Sequence, residues 1–222
     1  SLKKLKMDYI DLYLIHNPMG FMKTEGEDSI KIDEEGTWIP DLTVHFIETW
    51  KVLEDYYRAG KLKSIGVSNF NINQIQELWE SASVKPQNLQ VECHIYLPQE
   101  ELLHKCKELG IVITSYGSLG SPKRSGMIDR GIPLVNPLVK ELAEKYNKTA
   151  GQILLRQLIQ RGICVIPKSS NEARIKENIE IFDFELSQEE MGRFEEIKER
   201  KRLFKFLETV HHPLFPWRDE ME

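Results

Sequence analysis

The chain has 222 residues, of which 41% are hydrophobic and 29% are charged, a composition typical of a folded globular protein rather than a disordered chain. Thirty basic and thirty-five acidic residues leave a net charge of -5, so the bulk charge attracts neither a nucleic-acid backbone nor an anionic membrane. Any anionic ligand is therefore expected to bind through a local site.

The cysteines and the N-terminal residues indicate the cellular compartment of the protein. Cys93, Cys106 and Cys164 are widely spaced and form neither a disulfide framework nor a Cys-x-x-Cys motif. No apolar run approaches the roughly 18 residues of a membrane span, and charges interrupt residues 1–14 where a signal peptide needs an apolar core. These features predict a cytoplasmic protein. Because the chain starts at Ser1 with what resembles the end of a helix, we also expect it to begin inside a domain.

Five apolar runs rich in β-branched and aromatic residues have the length of strands. They do not alternate with polar residues, which is typical of parallel strands that are covered on both faces. Helical patterns separate them, so the order predicts a parallel α/β architecture with right-handed crossovers. The predicted strands are 9–16, 64–68, 89–94, 111–116 and 164–168.

Helix boundaries are also visible in the sequence. Residues 43–59 repeat apolar side chains every three to four positions, and Gly60 is suited to end that helix. Asn71, Thr149 and Ser187 are each followed three residues later by Gln or Glu, a pattern that starts helices.

Two connections, 17–42 and 117–136, are longer than α/β units need, and long loops after the strands of a barrel lie on its catalytic face.

Polar side chains gather where the predicted strands end, and parallel strands direct these ends to one rim. His16 is suited to act as a general acid or to donate to a substrate oxygen, although a satisfied histidine in a barrel mouth gives the same pattern. Ser68, Asn69 and Gln90 are suited to bind a planar carboxamide, unless Ser68 and Asn69 simply cap the next helix. Tyr116 is suited to stack on an aromatic ring or to lie in the core.

A stronger signal lies at the end of the last predicted strand. Lys168 and Ser169 lead into a helix that begins near Asn171, so a cation, a hydroxyl and free N–H groups meet at a helix N-terminus. Arg174 lies one turn further along. This arrangement predicts a site for a mononucleotide phosphate, with a solvated cationic helix face as the alternative. The Gly/Ser loop 117–122 matches no phosphate-loop motif and, taken alone, indicates a surface turn.

Metal and covalent chemistry have little support. The histidine pairs lack zinc spacing, no cysteine lies in a nucleophile motif, and His211 and His212 are interpreted as tail residues.

Taken in order, five motifs resemble those of the aldo-keto reductase family, and the resemblance covers most of the chain from Ser1 to about Glu196. They are YIDLYLIHNP, KLKSIGVSNFN, QVECHIYL, IVITSYGSLGSP and VIPKSSNEARIKENIEIFDFELSQEEM. The resemblance implies a (β/α)8 TIM barrel, represented by about five of its eight β/α units in residues 1–203, with residues 204–222 as a C-terminal tail or substrate loop. It implies an oxidoreductase that uses NADPH to reduce aldehydes or ketones to alcohols. The implied partner is a small carbonyl substrate, with no nucleic acid and no membrane, in a family that is often monomeric.

The resemblance also assigns roles to individual residues. His16 matches the catalytic histidine that orients the substrate carbonyl, and Tyr116 matches the tyrosine that stacks on the nicotinamide ring. Ser68, Asn69 and Gln90 match the residues that hold the nicotinamide carboxamide. The rest of the cofactor is implied at Ser118, Leu119 and Ser121 for the pyrophosphate, at Lys168, Ser169 and Arg174 for the 2′-phosphate, and at Glu177 and Asn178 near the adenine.

The sequence departs from the family pattern at several positions. Asn17 stands where a tryptophan usually lines the substrate pocket, Lys123 stands where many members carry an acid that clasps the cofactor, and Ile95 replaces a proline. The family's proton-donating tyrosine belongs to the first barrel strands, and nothing before Ser1 supplies it. We therefore expect a C-terminal fragment of a member, with little reductase activity by itself.

Three hypotheses remain open at this stage. The first is an NADPH-dependent carbonyl reductase of which the 222 residues are a part. The second is a non-catalytic NADPH-binding relative that acts as a sensor subunit or structural protein. The third is an unrelated barrel enzyme that binds a phosphorylated substrate near Lys168.

Overall fold

The computed structural model describes residues 1–26, 29–121 and 132–220. Five strands form one sheet in the order β1-β2-β3-β4-β5, and the β1–β2, β2–β3 and β4–β5 pairs are parallel. The predicted parallel α/β class is confirmed. The strands are β1 (Ile10–Ile15), β2 (Leu62–Ser68), β3 (Asn88–Glu92), β4 (Val112–Tyr116) and β5 (Cys164–Val165).

Helices separate the strands along the chain, as the sequence pattern predicts. The α-helices are α1 (Leu2–Leu5), α2 (Phe46–Arg58), α3 (Ile72–Ser81), α4 (Glu100–Glu108), α5 (Pro137–Tyr146), α6 (Ala150–Gln160), α7 (Glu172–Ile179) and α8 (Gln188–Glu195). Short 3-10 turns occur at Pro133–Val135, Leu207–Thr209 and Arg218–Glu220.

The predicted helix boundaries are confirmed at the residues that carry the signals. Asn71, Thr149 and Ser187 each form a complete capping box. The side chain of each residue accepts the backbone N–H three positions later, and the Gln or Glu side chain at that position accepts the backbone N–H of the capping residue. Gly60 follows α2 with a φ of 68°, a left-handed conformation that glycine adopts at little cost. Local hydrogen bonding thus positions these helices.

The last strand is shorter than predicted, because pairing ends at Val165 instead of continuing to Lys168. Pro167 has no N–H to donate to a sheet ladder, and Ile166 is 50% exposed. Residues 166–170 therefore form an irregular lead into α7.

The chain forms two compact units, each built from separate segments. Unit 1 consists of Ser1–Gln90, His104–Val112 and Lys205–Glu222, and unit 2 consists of Val91–Leu103 and Ile113–Phe204. The sequence shows no linker that predicts this division, because the chain passes from one unit to the other several times.

In unit 1, helix α2 buries one face and is tied to the segment that follows α3. Trp50 is 1% exposed, and its indole N–H donates to the Val84 carbonyl at 3.0 Å. The Glu54 carboxylate, 4% exposed, accepts the N–H groups of Ser83 at 2.7 Å and Val84 at 2.9 Å. Burial opposes ionisation of Glu54, but these bonds and Arg58 lower its pKa overall. This anchoring holds α2 beside the sheet strand that it precedes.

In unit 2, helices α5, α6 and α8 share an apolar core that includes Val139, Leu142 and Leu154. A buried carboxylate ties the helices together at one side of this core. Glu190 of α8 accepts from Lys145 Nζ at 2.7 Å, from the Tyr146 hydroxyl at 2.6 Å and from the Ser187 N–H at 2.7 Å. Although burial opposes ionisation, these donors hold the pKa of Glu190 at about 2.

Candidate active site and cofactor-binding residues

Four of the residues singled out in the sequence meet in unit 1, at the ends of β1 and β2 and at the middle of β3. Asn69 joins them: its side-chain amide donates to the His16 carbonyl at 2.9 Å, and its backbone N–H donates to the Gln90 carbonyl at 3.0 Å. The Ser68 hydroxyl donates to the same Gln90 carbonyl at 2.8 Å. Main-chain carbonyls of residues 16 and 90 are therefore joined to the Ser68 hydroxyl and the Asn69 amide groups in one hydrogen-bonded set.

The structure weighs against the simple capping role of Ser68 and Asn69. Helix α3 is capped by Asn71, whose side chain accepts the Gln74 N–H at 2.9 Å. Asn69 lies two residues earlier, is 2% exposed and has a φ of 62°, a conformation that Asn tolerates better than most residues. A buried, left-handed asparagine that bridges two strand ends indicates a site whose geometry is closely constrained.

A cavity of about 420 Å³ lies beside His16 in unit 1. The long connection after β1 supplies Met19, Phe21 and Trp38, and the C-terminal segment supplies Phe206. The walls are mostly apolar, with His16 and a few further polar residues among them. The remaining lining residues are Ile15, Asn17, Pro18, Gly20, Ile30, Val44, Phe46, Thr49 and Thr209.

Asn17 occupies the position where the family resemblance implies a tryptophan. Its side-chain oxygen accepts from the Asn69 amide at 3.1 Å, so it supports the same group that binds the His16 carbonyl. The substitution therefore replaces an aromatic wall with a hydrogen-bonding group that is tied to the strand ends.

In unit 2, Tyr116 ends strand β4 and is partly exposed. The ring of Phe204 meets its ring edge-on, with centroids 5.3 Å apart and an interplanar angle of 84°. Such T-shaped contacts restrict the orientation of the tyrosine ring.

The Gly/Ser loop after Tyr116 begins with a tight turn, but the prediction of a surface turn is wrong, because Ser118 and Gly120 are buried. Gly120 donates its N–H to the Gly117 carbonyl at 2.8 Å, and Ser121 follows with a φ of 46°. Ser118 is 4% exposed and its hydroxyl lies 2.6 Å from the Ser115 hydroxyl, while Leu119 packs on the unit 2 core. The turn is therefore anchored at both of its inner residues.

Lys123 lies outside the described residues, as do 122 and 124–131.

Helix α7 begins where the sequence predicts an anion site. Asn171 is its N-cap and accepts the Arg174 N–H at 3.0 Å, and the Ser169 hydroxyl accepts the Asn171 N–H at 3.1 Å. Lys168 and Arg174 are exposed, and within the described ranges neither lies in an ion pair with a carboxylate. Glu177 and Asn178, half-buried, follow in the same helix.

The comparisons with known proteins decide the family. Residues 1–199 match the Aldo/keto reductase family. Estradiol 17 beta-dehydrogenase 5 of Mus musculus is 42% identical over 99% of this chain and 68% of its own length. Aldo-keto reductase family 1 member A1 of Gallus gallus is also 42% identical, over 99% of this chain and 69% of its own length. The chain belongs to the aldo/keto reductase family.

Solved structures agree with this assignment. The aldose reductase of Schistosoma japonicum has a TM-score of 0.88 and 38% identity, over 99% of this chain and 68% of that one. A Bombyx mori aldo-keto reductase, solved in complex with NADP, has a TM-score of 0.81 and 38% identity, over 97% and 66%. The hypothesis of an unrelated barrel enzyme is therefore wrong.

Several other groups in this family member are not suited to chemistry. Burial raises the pKa of the Cys93 thiol to about 11 and that of the Cys106 thiol to about 12, so neither is a nucleophilic thiolate at neutral pH. Among the described residues, no three His, Cys, Asp or Glu side chains cluster as a metal site would require. None of the helices within the described ranges has the length and apolarity needed to cross a bilayer.

His212, interpreted from the sequence as a tail residue, is buried. It is 2% exposed, its Nδ1 accepts the Leu214 N–H at 3.0 Å, and its ring lies 5.5 Å from that of Phe21. The consecutive apolar residues that follow it, in HHPLFPW, are a sequence signal that the tail packs against a core. The tail thereby covers Met19, a wall of the cavity beside His16.

Acidification is expected to destabilise this packing. Burial lowers the pKa of His212 below its usual value, so the folded protein favours the neutral ring. The stabilisation is fully present above the unfolded pKa of about 6.5 and declines as the pH falls below it. Thermal unfolding followed by Trp fluorescence at pH 7.5 and 5.5 measures the effect. A loss of about 1 kcal/mol corresponds to roughly 2–4 °C in a protein of this size.

The matched variant is His212→Asn, because the Asn oxygen keeps an acceptor for the Leu214 N–H but does not titrate. It should lose less of its Tm between pH 7.5 and 5.5 than the wild type does. Equal losses in the two proteins would assign the pH dependence to other groups.

Proposed function

We propose that the protein uses NADPH to reduce the carbonyl group of a small aldehyde or ketone to an alcohol. The observation that carries the proposal is the set of bonds around Asn69, which fixes the His16 main chain and the Gln90 carbonyl together beside a mostly apolar cavity. A carbonyl substrate needs this combination of an apolar pocket and one convergent donor. Family membership supports the same reaction class.

In this proposal, His16 donates a hydrogen bond to the substrate carbonyl oxygen. Its main chain is anchored by Asn69 while the residue itself is exposed at the cavity wall. A donor fixed at that oxygen orients the carbonyl and stabilises the negative charge that develops on it. Bound NADPH would supply the hydride, and the proton that completes the alcohol would come from the tyrosine that the family resemblance implies in the first barrel strands.

The residues that bind the cofactor are proposed from the family pattern and from local geometry. Ser68, Asn69 and Gln90 bind the nicotinamide carboxamide, and Tyr116 stacks on its ring. The turn formed by Ser118, Leu119 and Ser121 binds the pyrophosphate, Lys168, Ser169 and Arg174 bind the 2′-phosphate, and Glu177 and Asn178 lie near the adenine. Lys168 and Arg174 have no carboxylate partner among the described residues, which supports the 2′-phosphate assignment. A dianion at the start of α7 would interact with their positive charges and with backbone N–H groups.

The domain division is part of the same proposal. Residues 1–203 form the reductase domain, and residues 204–222 shape the substrate pocket. Phe206 and Thr209, which line the cavity beside His16, support a role of the tail in substrate choice. A small-molecule substrate in the cytoplasm remains the prediction from the sequence.

The deciding experiment separates binding from turnover. Because the chain spans 68% of the Schistosoma japonicum aldose reductase, residues 1–222 are assayed alone and joined behind the N-terminal segment of that protein. NADPH binding is followed by its fluorescence, and turnover with a small aldehyde by absorbance at 340 nm. We expect binding by both proteins and turnover by the joined one.

The outcomes distinguish the two remaining hypotheses. Binding without turnover in the joined protein would favour the non-catalytic sensor. The absence of NADPH binding in both proteins would contradict the proposal itself.

A further inference from the structure

A fully buried acid and histidine in unit 2 have no part in the function proposed above. Glu92, at the end of β3, and His94 are 0% and 1% exposed, and His94 Nε2 lies 2.8 Å from Glu92 Oε1. The Tyr96 N–H donates to His94 Nδ1 at 3.3 Å, so the ring proton lies on Nε2 and is donated to the carboxylate. Burying such a pair is costly unless its remaining hydrogen-bonding capacity is used.

The remaining acceptor positions of the Glu92 carboxylate bind one short segment more than a hundred residues further along the chain. Its Oε1 accepts the Leu203 N–H at 2.7 Å and its Oε2 accepts the Phe204 N–H at 3.0 Å. The Arg202 guanidinium, 7% exposed at its side chain, lies 3.9 Å from Oε2. Two consecutive backbone N–H groups are thus bound by one carboxylate, and the guanidinium of the preceding residue lies near it.

The held segment lies directly against Tyr116. Phe204 makes the edge-on contact with the Tyr116 ring, at 5.3 Å between centroids. A Cβ placed on Gly117, next to Tyr116, would come within 2.9 Å of the Phe204 ring and 3.6 Å of Glu92 Cγ. Phe204 therefore fills the space on that side of Tyr116, and its backbone cannot shift without releasing a bond to Glu92.

We infer that Glu92 is a positioning residue for nicotinamide binding: it fixes Phe204, and Phe204 fixes the ring of Tyr116 in the orientation that stacks on the nicotinamide. This inference rests on the proposed function, in which Tyr116 carries that stacking contact. Loss of the carboxylate frees Phe204 and lets the Tyr116 ring turn, which weakens contact with the nicotinamide and leaves the rest of the dinucleotide bound as before.

The test compares two ligands that differ in the nicotinamide. NADPH carries it, and adenosine 2′,5′-bisphosphate does not. In Glu92→Gln, the Kd for NADPH should rise by about threefold to thirtyfold, which lies within the range of coupling between neighbouring residues, while the Kd for the bisphosphate stays unchanged. Titration calorimetry on the full chain gives both constants.

A matched control is available in the same unit. Glu190 is also buried, at 4% exposure, and also accepts a backbone N–H, but it joins helices α5 and α8. Glu190→Gln should lower Tm and leave the ratio of the two Kd values as in the wild type. A merely structural role of Glu92 would give the same result as this control.

Phe204→Leu keeps the test decisive if Glu92→Gln does not fold, because it removes the ring contact and retains the Glu92 bonds. It should raise the NADPH Kd selectively, and the double variant should be little worse than either single variant. An unchanged ratio in Phe204→Leu, or fully additive effects, would overturn the inference while the proposed function stands. Wild-type protein that binds neither ligand would overturn both.

Discussion

Replacing His16 with alanine is expected to lower kcat/KM for aldehyde reduction by about 100-fold or more and to leave the Kd for NADPH nearly unchanged. The imidazole is proposed to meet the carbonyl oxygen of the substrate, where charge develops only during the reaction. Asn69 binds the main-chain carbonyl of residue 16, so truncating the side chain leaves that anchor intact. Steady-state kinetics of the joined protein, with NADPH fluorescence for binding, measure the two quantities.

A second histidine provides the control. His104 lies on α4, is 77% exposed at its side chain and pairs with Glu108 at 3.2 Å. His104→Ala should leave kcat/KM as in the wild type. If His16→Ala also had unchanged kinetics, His16 would be a satisfied histidine at the strand end without a catalytic role.

NADPH is expected to bind at least about tenfold more tightly than NADH, and Arg174→Met should remove most of this preference. The two cofactors differ only in the 2′-phosphate, and a hydrogen bond to a charged group contributes about 1.5–3 kcal/mol. Because Arg174 is exposed and within the described residues has no carboxylate partner, its charge is available to the phosphate. Fluorescence titration with each cofactor gives the ratio of the two Kd values.

Lys176→Met is the matched control, since Lys176 lies on the same helix but pairs with Glu172 at 3.0 Å. It removes one positive charge and should leave the ratio near the wild-type value. Equal affinity of the wild-type protein for NADPH and NADH would contradict the 2′-phosphate assignment, as would an Arg174→Met variant with an unchanged ratio.

The parts of the fold that depend on local signals could be predicted from the sequence. The capping boxes at Asn71, Thr149 and Ser187 are formed by residues three positions apart, and the strands are dense apolar runs. The predicted end of β5 is wrong, because the apolar run continues beyond Val165 while Pro167 interrupts the ladder.

The parts that depend on distant partners could not be predicted. Glu92 has the appearance of one more polar residue at a strand end, and nothing near it in sequence shows that Leu203 and Phe204 will bind its carboxylate. Asn69 is similar, since its bond to residue 16 spans 53 positions. Both residues lie in the motifs that resemble the family, but only the folded structure shows which distant backbone groups their side chains bind.

The discontinuous assembly of unit 1 has a consequence for how the protein is made. The unit that contains His16 needs Lys205–Glu222, although its largest segment ends at Gln90. At about 5–20 residues per second, a ribosome needs roughly 6–23 s to synthesise the intervening residues. During that interval, apolar side chains that the C-terminal segment buries, such as Met19, stay exposed to solvent. Nascent chains paused in this window are therefore expected to be clients of chaperones that bind exposed apolar segments, and to be released from them only when the C-terminal segment docks.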